Sequence, residues 1–255
     1  MSHRKIIYTP SGRAGEYADK GQALNIYQGC DHGCRYCYAA GMAEKFKKIP
    51  REQWNRNVVP APDLFVRIAK DCSEFIAEEI FMCFMTDAYP ATDNVREITR
   101  ECIRIIVESQ NSVNILTKGG MRAVQDFDLL VKNPRNKIGA TLTFSDDGYS
   151  REWEPRAALP GNRIEMLSAA RDLGIKTWAS IEPVIIPRQS LEMIRMAAPH
   201  CDEIKIGKLN HDPREKKIDW KLFYSDAKAL VEFLQKTYRF KVYFKKDLLN
   251  AAGVK

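Results

Sequence analysis

Short runs rich in β-branched and apolar residues alternate along this chain with stretches whose apolar positions recur at three- and four-residue spacing. The runs 23–28, 79–85, 112–118, 137–144, 176–184, 202–207 and 240–244 predict strands, and the intervening stretches predict helices near 63–71, 94–108, 122–132, 163–173, 190–198 and 219–237. In 94–108 the apolar stripe is Val95, Ile98, Cys102, Ile105 and Ile106, with Thr92 or Asp93 as N-cap. In 163–173 it is Ile164, Leu167, Ala170 and Leu173. Strict β-then-α alternation implies parallel strands joined by right-handed crossovers.

An open doubly wound sheet and a (β/α) barrel both satisfy that alternation. Polar groups at or just past the C-terminal ends of successive strands, Asp87, Lys118, Ser145, Glu182 and Lys208, favour the barrel, whose sites are assembled from several strand ends. Thr141, Thr143 and Ser145 share one strand face, as do Ser180 and Glu182. A polar interior of this kind predicts an incomplete, wider barrel that holds a ligand. The expected organisation is an N-terminal extension (1–22), a barrel core (23–210), and a C-terminal helix and strand closing the barrel (211–255).

Composition adds little to this picture and contradicts none of it. With 45% hydrophobic and 29% charged residues in 255, the chain reads as an ordinary globular protein. The longest apolar run, "IFMCFM", falls well short of a membrane span, so the expected setting is the cytoplasm with no membrane partner. A formal net charge of +7 mildly favours an anionic partner.

Cysteine placement changes the picture. Three of the seven cysteines, Cys30, Cys34 and Cys37, crowd into "CDHGCRYC" directly after the first predicted strand. Structural zinc would need a fourth ligand, and His32 lies inside the loop, where wrapping one ion would strain it. A cubane [4Fe–4S] cluster takes one thiolate per iron, so three cysteines leave one iron open to a substrate or cofactor.

"CDHGCRYC" resembles the Cys-x3-Cys-x-aromatic-Cys signature of the radical S-adenosylmethionine (SAM) superfamily. Within it, "GCDHGCRYCYA", "MTDAYPATD", "ILTK", and Glu154–Pro155 followed by Arg163 resemble the spore photoproduct lyase-like group of DNA-repair enzymes over about residues 25–176. The resemblance implies an α/β fold, a partial (β/α)6 TIM-type barrel with a C-terminal helix and extra strand. It also implies a [4Fe–4S] cluster on Cys30, Cys34 and Cys37 whose open iron chelates SAM. One electron then splits the sulfonium to methionine and a 5′-deoxyadenosyl radical that abstracts a substrate hydrogen. An electron donor such as flavodoxin or ferredoxin is the implied partner.

Carried over by motif, Tyr36 lies near the adenine, Thr86 and Asp87 meet the SAM amino group, and Lys118 binds its carboxylate. Thr143 or Ser145 contacts carboxylate or ribose, and Glu182 the ribose or the substrate. Tyr38 matches a tyrosine linked to hydrogen transfer in the lyases. Their hydrogen-donating cysteine stands three residues before the matching aspartate; Cys83 stands four before Asp87, with Phe84 at the aligned place. Lys45, Lys47, Lys48 and Arg51 beside Trp54, and "KIGKLNHDPREKK" before Trp220, interleave cations with aromatics as a nucleic-acid surface does. The expected substrate is therefore a base in nucleic acid or a nucleotide; the alternatives are a small metabolite or peptide, and a non-catalytic metal-binding module.

Overall fold

A computed structural model describes residues 5–12, 14–18, 21–92, 95–210 and 212–254. Its centre is an eight-stranded sheet of β1 (Ile7–Tyr8), β2 (Gln22–Leu24), β5 (Glu79–Met82), β6 (Ser112–Thr117), β7 (Lys137–Thr141), β8 (Lys176–Val184), β9 (Glu203–Lys208) and β10 (Lys241–Phe244), adjacent in that order. Every pairing is parallel except β1 with β2. The six strands β2 and β5 to β9 form the expected partial barrel, β10 is the extra strand, and the barrel is not closed.

Helices α3 (Leu64–Cys72), α4 (Arg96–Glu108), α7 (Pro160–Asp172), α8 (Pro187–Ala197) and α9 (Trp220–Leu234) cover the outside. Their buried faces, such as Cys102, Ile103 and Ile106 on α4 and Met193, Ile194 and Ala197 on α8, pack on Ile80, Ile115, Ile138, Ile181 and Ile206 of the sheet. Val95 occupies the α4 cap position; Thr92 precedes it and Asp93 lies outside the described residues. The expected helix over 122–132 is a 3₁₀ turn at 120–126 followed by a short α5 (Phe127–Leu130). On α7 the buried face includes Arg163 and Met166, whereas Leu173 is exposed, so the expected stripe is rotated.

The expected first strand, 23–28, divides in two. Asn25 Oδ1 accepts from Met85 N at 2.8 Å and Ile26 O accepts from Ala61 N at 3.0 Å, which turns the chain out of the barrel after Leu24. Residues β3 (Tyr27–Gln28) then pair antiparallel with β4 (Val59–Pro60). This exit delivers the cysteine loop over the C-terminal ends of the strands. Four helices not read from periodicity follow loops: α1 (Tyr38–Lys47), α2 (Arg51–Trp54), α6 (Asp147–Trp153) and α10 (Lys246–Ala251).

Inside the barrel the lower half is aromatic. Phe81, Trp178 and Ala18 pack with Tyr17, Phe84 and Leu116, and Phe81 stacks on Phe84 with ring centroids 4.2 Å apart. Tyr17, Phe81, Phe84 and Leu116 also line a cavity of about 620 Å³, where they meet polar and charged side chains such as Asp87, Lys118 and Glu182.

Candidate cluster and cofactor site

Residues 29–37 form a loop held from behind at several points. Gly29 has φ +81°, and a Cβ there would lie 1.8 Å from Asn57 O, so only glycine lets the loop leave β3 at this angle. Cys30 N donates to Trp54 O at 3.0 Å and Arg35 N to Trp153 O at 2.9 Å. The Arg51 guanidinium donates to Cys34 O and Cys37 O at 3.4 and 3.2 Å. Cys37 caps α1, its Sγ accepting from Ala40 N at 3.4 Å, so the positive end of that helix faces the sulfur.

All three thiols line the cavity. Burial pushes the Cys30 thiol well above its usual range and the Cys34 thiol up to about 12. As free thiols both stay protonated; a metal centre supplies the positive charge that stabilises buried thiolates. Around Cys30 and Cys34 lie the charged groups Asp87, Lys118, Glu154 and Arg163. Cys83 also borders the cavity, but its sulfur sits against the Ile26 backbone and the Thr86 hydroxyl. Among the described residues no three His, Cys, Asp or Glu side chains close on a single point as ligands of one ion do. Three thiols from one loop on the cavity wall match in number a multi-iron cluster with one open corner.

Beside the thiols stands a set of buried polar groups. Thr86 Oγ1 is buried with no nitrogen or oxygen partner. Asp87 is engaged through both oxygens: Oδ1 accepts from Tyr89 N and Thr117 Oγ1 at 2.8 and 2.5 Å, and Oδ2 from Lys118 N at 2.8 Å. Burial pushes its carboxyl up, while the hydrogen bonds from Thr117 Oγ1, Lys118 N and Tyr89 N pull it down, and the net direction is down. His32 Nδ1 lies 3.4 Å from Asp87 Oδ2, and Arg122 donates to His32 Nε2 at 3.0 Å. Because a guanidinium can only donate, Nε2 carries the lone pair and Nδ1 the proton. Burial lowers the His32 pKa to about 4, so the ring is neutral.

Lys118 lines the cavity with Nζ 5.6 Å from the Tyr36 ring centroid. Burial pulls its pKa down, yet the neighbouring anions, Glu154 and Asp87 among them, pull it up further, and it remains a cation. Tyr36 OH meets Thr143 Oγ1 at 3.2 Å and donates to Glu154, whose other oxygen accepts from Arg163 at 2.5 Å. Glu154 and Arg163 are each about 1% exposed.

The structure thus brings Cys30, Cys34, Cys37, Tyr36, Tyr38, Cys83, Thr86, Asp87, Lys118 and Glu182 onto one cavity surface. Thr143 and Ser145 do not reach it. Strand β7 ends at Thr141, which takes the lining place, while Thr143 is buried beneath the Tyr36 hydroxyl and Ser145 N donates to Gln189 on α8 at 3.1 Å. Tyr38 sits at the rim, half exposed, its OH donating to Phe84 O at 2.7 Å. Of the two aromatics expected to interleave with surface cations, Trp54 is 3% exposed beneath α1 and Trp220 is buried under Lys208. Neither offers a free stacking face. Ser180 lines the cavity with Glu182, as their shared strand face predicts, whereas Tyr17 and Lys245 line it without having been read from the sequence.

Residues 24–198 match the Radical SAM superfamily. An uncharacterized protein of Methanocaldococcus jannaschii is 28% identical over 162 residues, covering 64% of this chain and 60% of that protein. An uncharacterized protein of Acidianus two-tailed virus is 22% identical over 230 residues, 82% of this chain and 73% of its own length. In fold, a cysteine-to-serine mutant of spore photoproduct lyase superposes with a TM-score of 0.67 at 14% identity, covering 95% of this chain and 81% of that one. Streptococcus suis SuiB bound to precursor peptide SuiA gives 0.62 at 17% identity, covering 91% of this chain but 50% of SuiB.

Proposed function

Because this chain belongs to the radical SAM superfamily, whose cofactors are a [4Fe–4S] cluster and SAM, we propose that it cleaves SAM reductively and uses the resulting radical to repair or modify a nucleobase or nucleotide. The observation that carries the first half is the cavity wall of three thiols beside an unpartnered Thr86 hydroxyl and a fixed lysine cation. Cys30, Cys34 and Cys37 would hold the cluster, which would supply one-electron reduction of SAM and would itself need an external reductant.

The chain's own residues bind and orient. Lys118 offers a cation to the methionine carboxylate, and the pull of neighbouring anions keeps it charged despite burial. Asp87 accepts from Lys118 N, Tyr89 N and the Thr117 hydroxyl, so it fixes the backbone at Lys118 and leaves Thr86 Oγ1, which has no nitrogen or oxygen partner among the described residues, as the acceptor for the amino group. Tyr36, locked by Glu154, presents its ring toward the adenine side. Cys83 is the candidate to return a hydrogen atom: burial pushes its pKa to about 12, so its S–H bond stays intact. Tyr38 at the rim is the second candidate.

The nucleobase assignment is supported by the fold likeness to spore photoproduct lyase across nearly the whole chain, one such structure carrying a dinucleoside spore photoproduct. The peptide alternative is favoured by the SuiB likeness, although this chain spans half of SuiB.

Anaerobic reconstitution tests the reading. About four irons per chain are expected, with 5′-deoxyadenosine released on adding dithionite and SAM. Zinc in place of iron, or intact SAM beside a full cluster, overturns it. Oligonucleotide affinity that falls steeply with salt separates the nucleic-acid reading from the peptide one. Thr86→Val, nearly isosteric, is expected to retain iron but weaken SAM binding about tenfold to a hundredfold, the worth of one hydrogen bond to a charged group. Unchanged affinity by equilibrium dialysis would remove Thr86 from the site.

A further inference from the structure

Strand order places β2, β5 and β6 with the cysteines on one side of the cavity and β8, β9 and β10 on the other. That second side holds a built polar cluster. Glu182 Oε2 on β8 accepts from Lys245 Nζ at 3.0 Å and from Tyr17 OH, which also meets Ser180 Oγ at 3.2 Å. Lys245 Nζ lies 3.9 Å from the Tyr17 ring centroid, and the lysine side chain is 2% exposed. Both of these bonds fall on Oε2, and among the described residues Oε1 has no hydrogen-bond partner, in a residue that lines the cavity.

Strand β9 is bare where these side chains cross it. A Cβ on Gly207 would lie 2.5 Å from Glu182 Cδ and 2.8 Å from Lys245 Cδ, so the glycine makes room for the pair. The cluster is not needed to fasten the N-terminal segment. Lys205 Nζ already donates to Glu16 O and Tyr17 O at 3.3 Å each, and Glu16 accepts from Tyr243 OH and Lys246 N at 2.9 and 3.2 Å. Burial raises the Glu182 carboxyl against the pull of Lys245 and Tyr17, so the group is short of donors. Lys245 is buried while Glu182 is partly exposed at the cavity wall, so a ligand donor can reach Oε1.

We propose that Tyr17, Glu182 and Lys245 form the substrate-reading wall, with Glu182 Oε1 accepting a hydrogen bond from a ring N–H of the substrate nucleobase and Lys245 and Tyr17 holding the carboxylate in place. This inference rests on the nucleobase reading above. It makes substrate choice depend on one donor atom, because a site built to accept an N–H discriminates strongly against a ring that lacks it.

Cluster-loaded, SAM-bound protein is titrated anaerobically with the dinucleotide TpT and with its analogue methylated at both ring N3 positions. Thymine suits the purpose because N3–H is its only ring donor. Wild type is expected to prefer TpT by about tenfold or more, and Glu182→Ala to reduce the preference to below about twofold. Glu182→Ala leaves Lys245 buried and unpaired, so the double variant Glu182→Leu, Lys245→Met, which removes both charges together, is measured alongside it. The same loss of preference is expected there. Equal affinities in wild type, a preference retained in both variants, or no binding of either probe overturns the proposal. Salt-sensitive oligonucleotide affinity of wild type is the separate test of the nucleobase reading, and 5′-deoxyadenosine release that of SAM cleavage, so the failures are distinguishable.

Discussion

Cys34→Ala protein, reconstituted anaerobically with iron and sulfide, is expected to hold no four-iron cluster and to release no 5′-deoxyadenosine above background. Cys34 is the most buried of the three loop thiols and sits among the charges of Lys118, Glu154 and Arg163. Two thiolates cannot hold a cubane that takes one protein ligand at each of three irons. The small volume removed leaves the loop's backbone bonds to Trp54, Trp153 and Arg51 in place, so the loss is of chemistry and not of fold. Cys83→Ala is the control: its sulfur faces Ile26 and Thr86, and full iron content is expected. A complete cluster in Cys34→Ala, by iron and sulfide analysis, would exclude the cysteine loop as its ligand set.

Glu154→Ala is expected to cost about 3–5 kcal/mol, the usual penalty for breaking a buried ion pair and stranding one charge, and to lower Tm by roughly 10 °C. Arg163 donates to Glu154 at 2.5 Å and to Thr141 O and Ala158 O at 2.8 and 2.7 Å. It ties α7 to β7 and to the loop before the helix. Burial pushes the Glu154 carboxyl up, but Arg163, Lys118 and the Tyr36 hydroxyl outweigh that and hold it below its ordinary value of 4.5. A carboxyl depressed on folding contributes stability that is present above the unfolded value and lost as pH falls through the folded one. Wild-type Tm should therefore drop on acidification below about pH 4.5, and the drop should be shallower in Glu154→Ala. Circular dichroism melts at several pH values check both; equal acid slopes would mean that Glu154 is not the titrating group.

The alternation of β and α units and the cysteine loop were legible because each is a local pattern. Seven strands lie where the apolar runs predict them, apart from the early exit at Asn25, which depends on Met85 and Ala61 far along the chain. Period-two reasoning extended the polar face of β7 through Thr143 to Ser145, yet the strand ends at Thr141 and the chain bends under Tyr36. The α7 stripe was read as aliphatic, whereas Arg163 occupies its core face. A buried arginine is invisible to hydrophobic periodicity until its carboxylate partner is known. Asp87 and Lys118 stand at strand ends as expected, but only the coordinates distinguish the engaged Asp87 from the unpartnered Thr86. Tyr17 and Lys245 lie 228 positions apart and meet through tertiary contacts alone.

Those two residues also bear on biosynthesis. A ribosome threads out the cysteine loop before most of the sheet, whereas Lys245 and β10 emerge after every other strand of the sheet. Nascent protein therefore owns its iron ligands long before it owns a walled reaction chamber. Loading iron after chain release, rather than during elongation, would keep an unshielded centre from ever forming on the polysome.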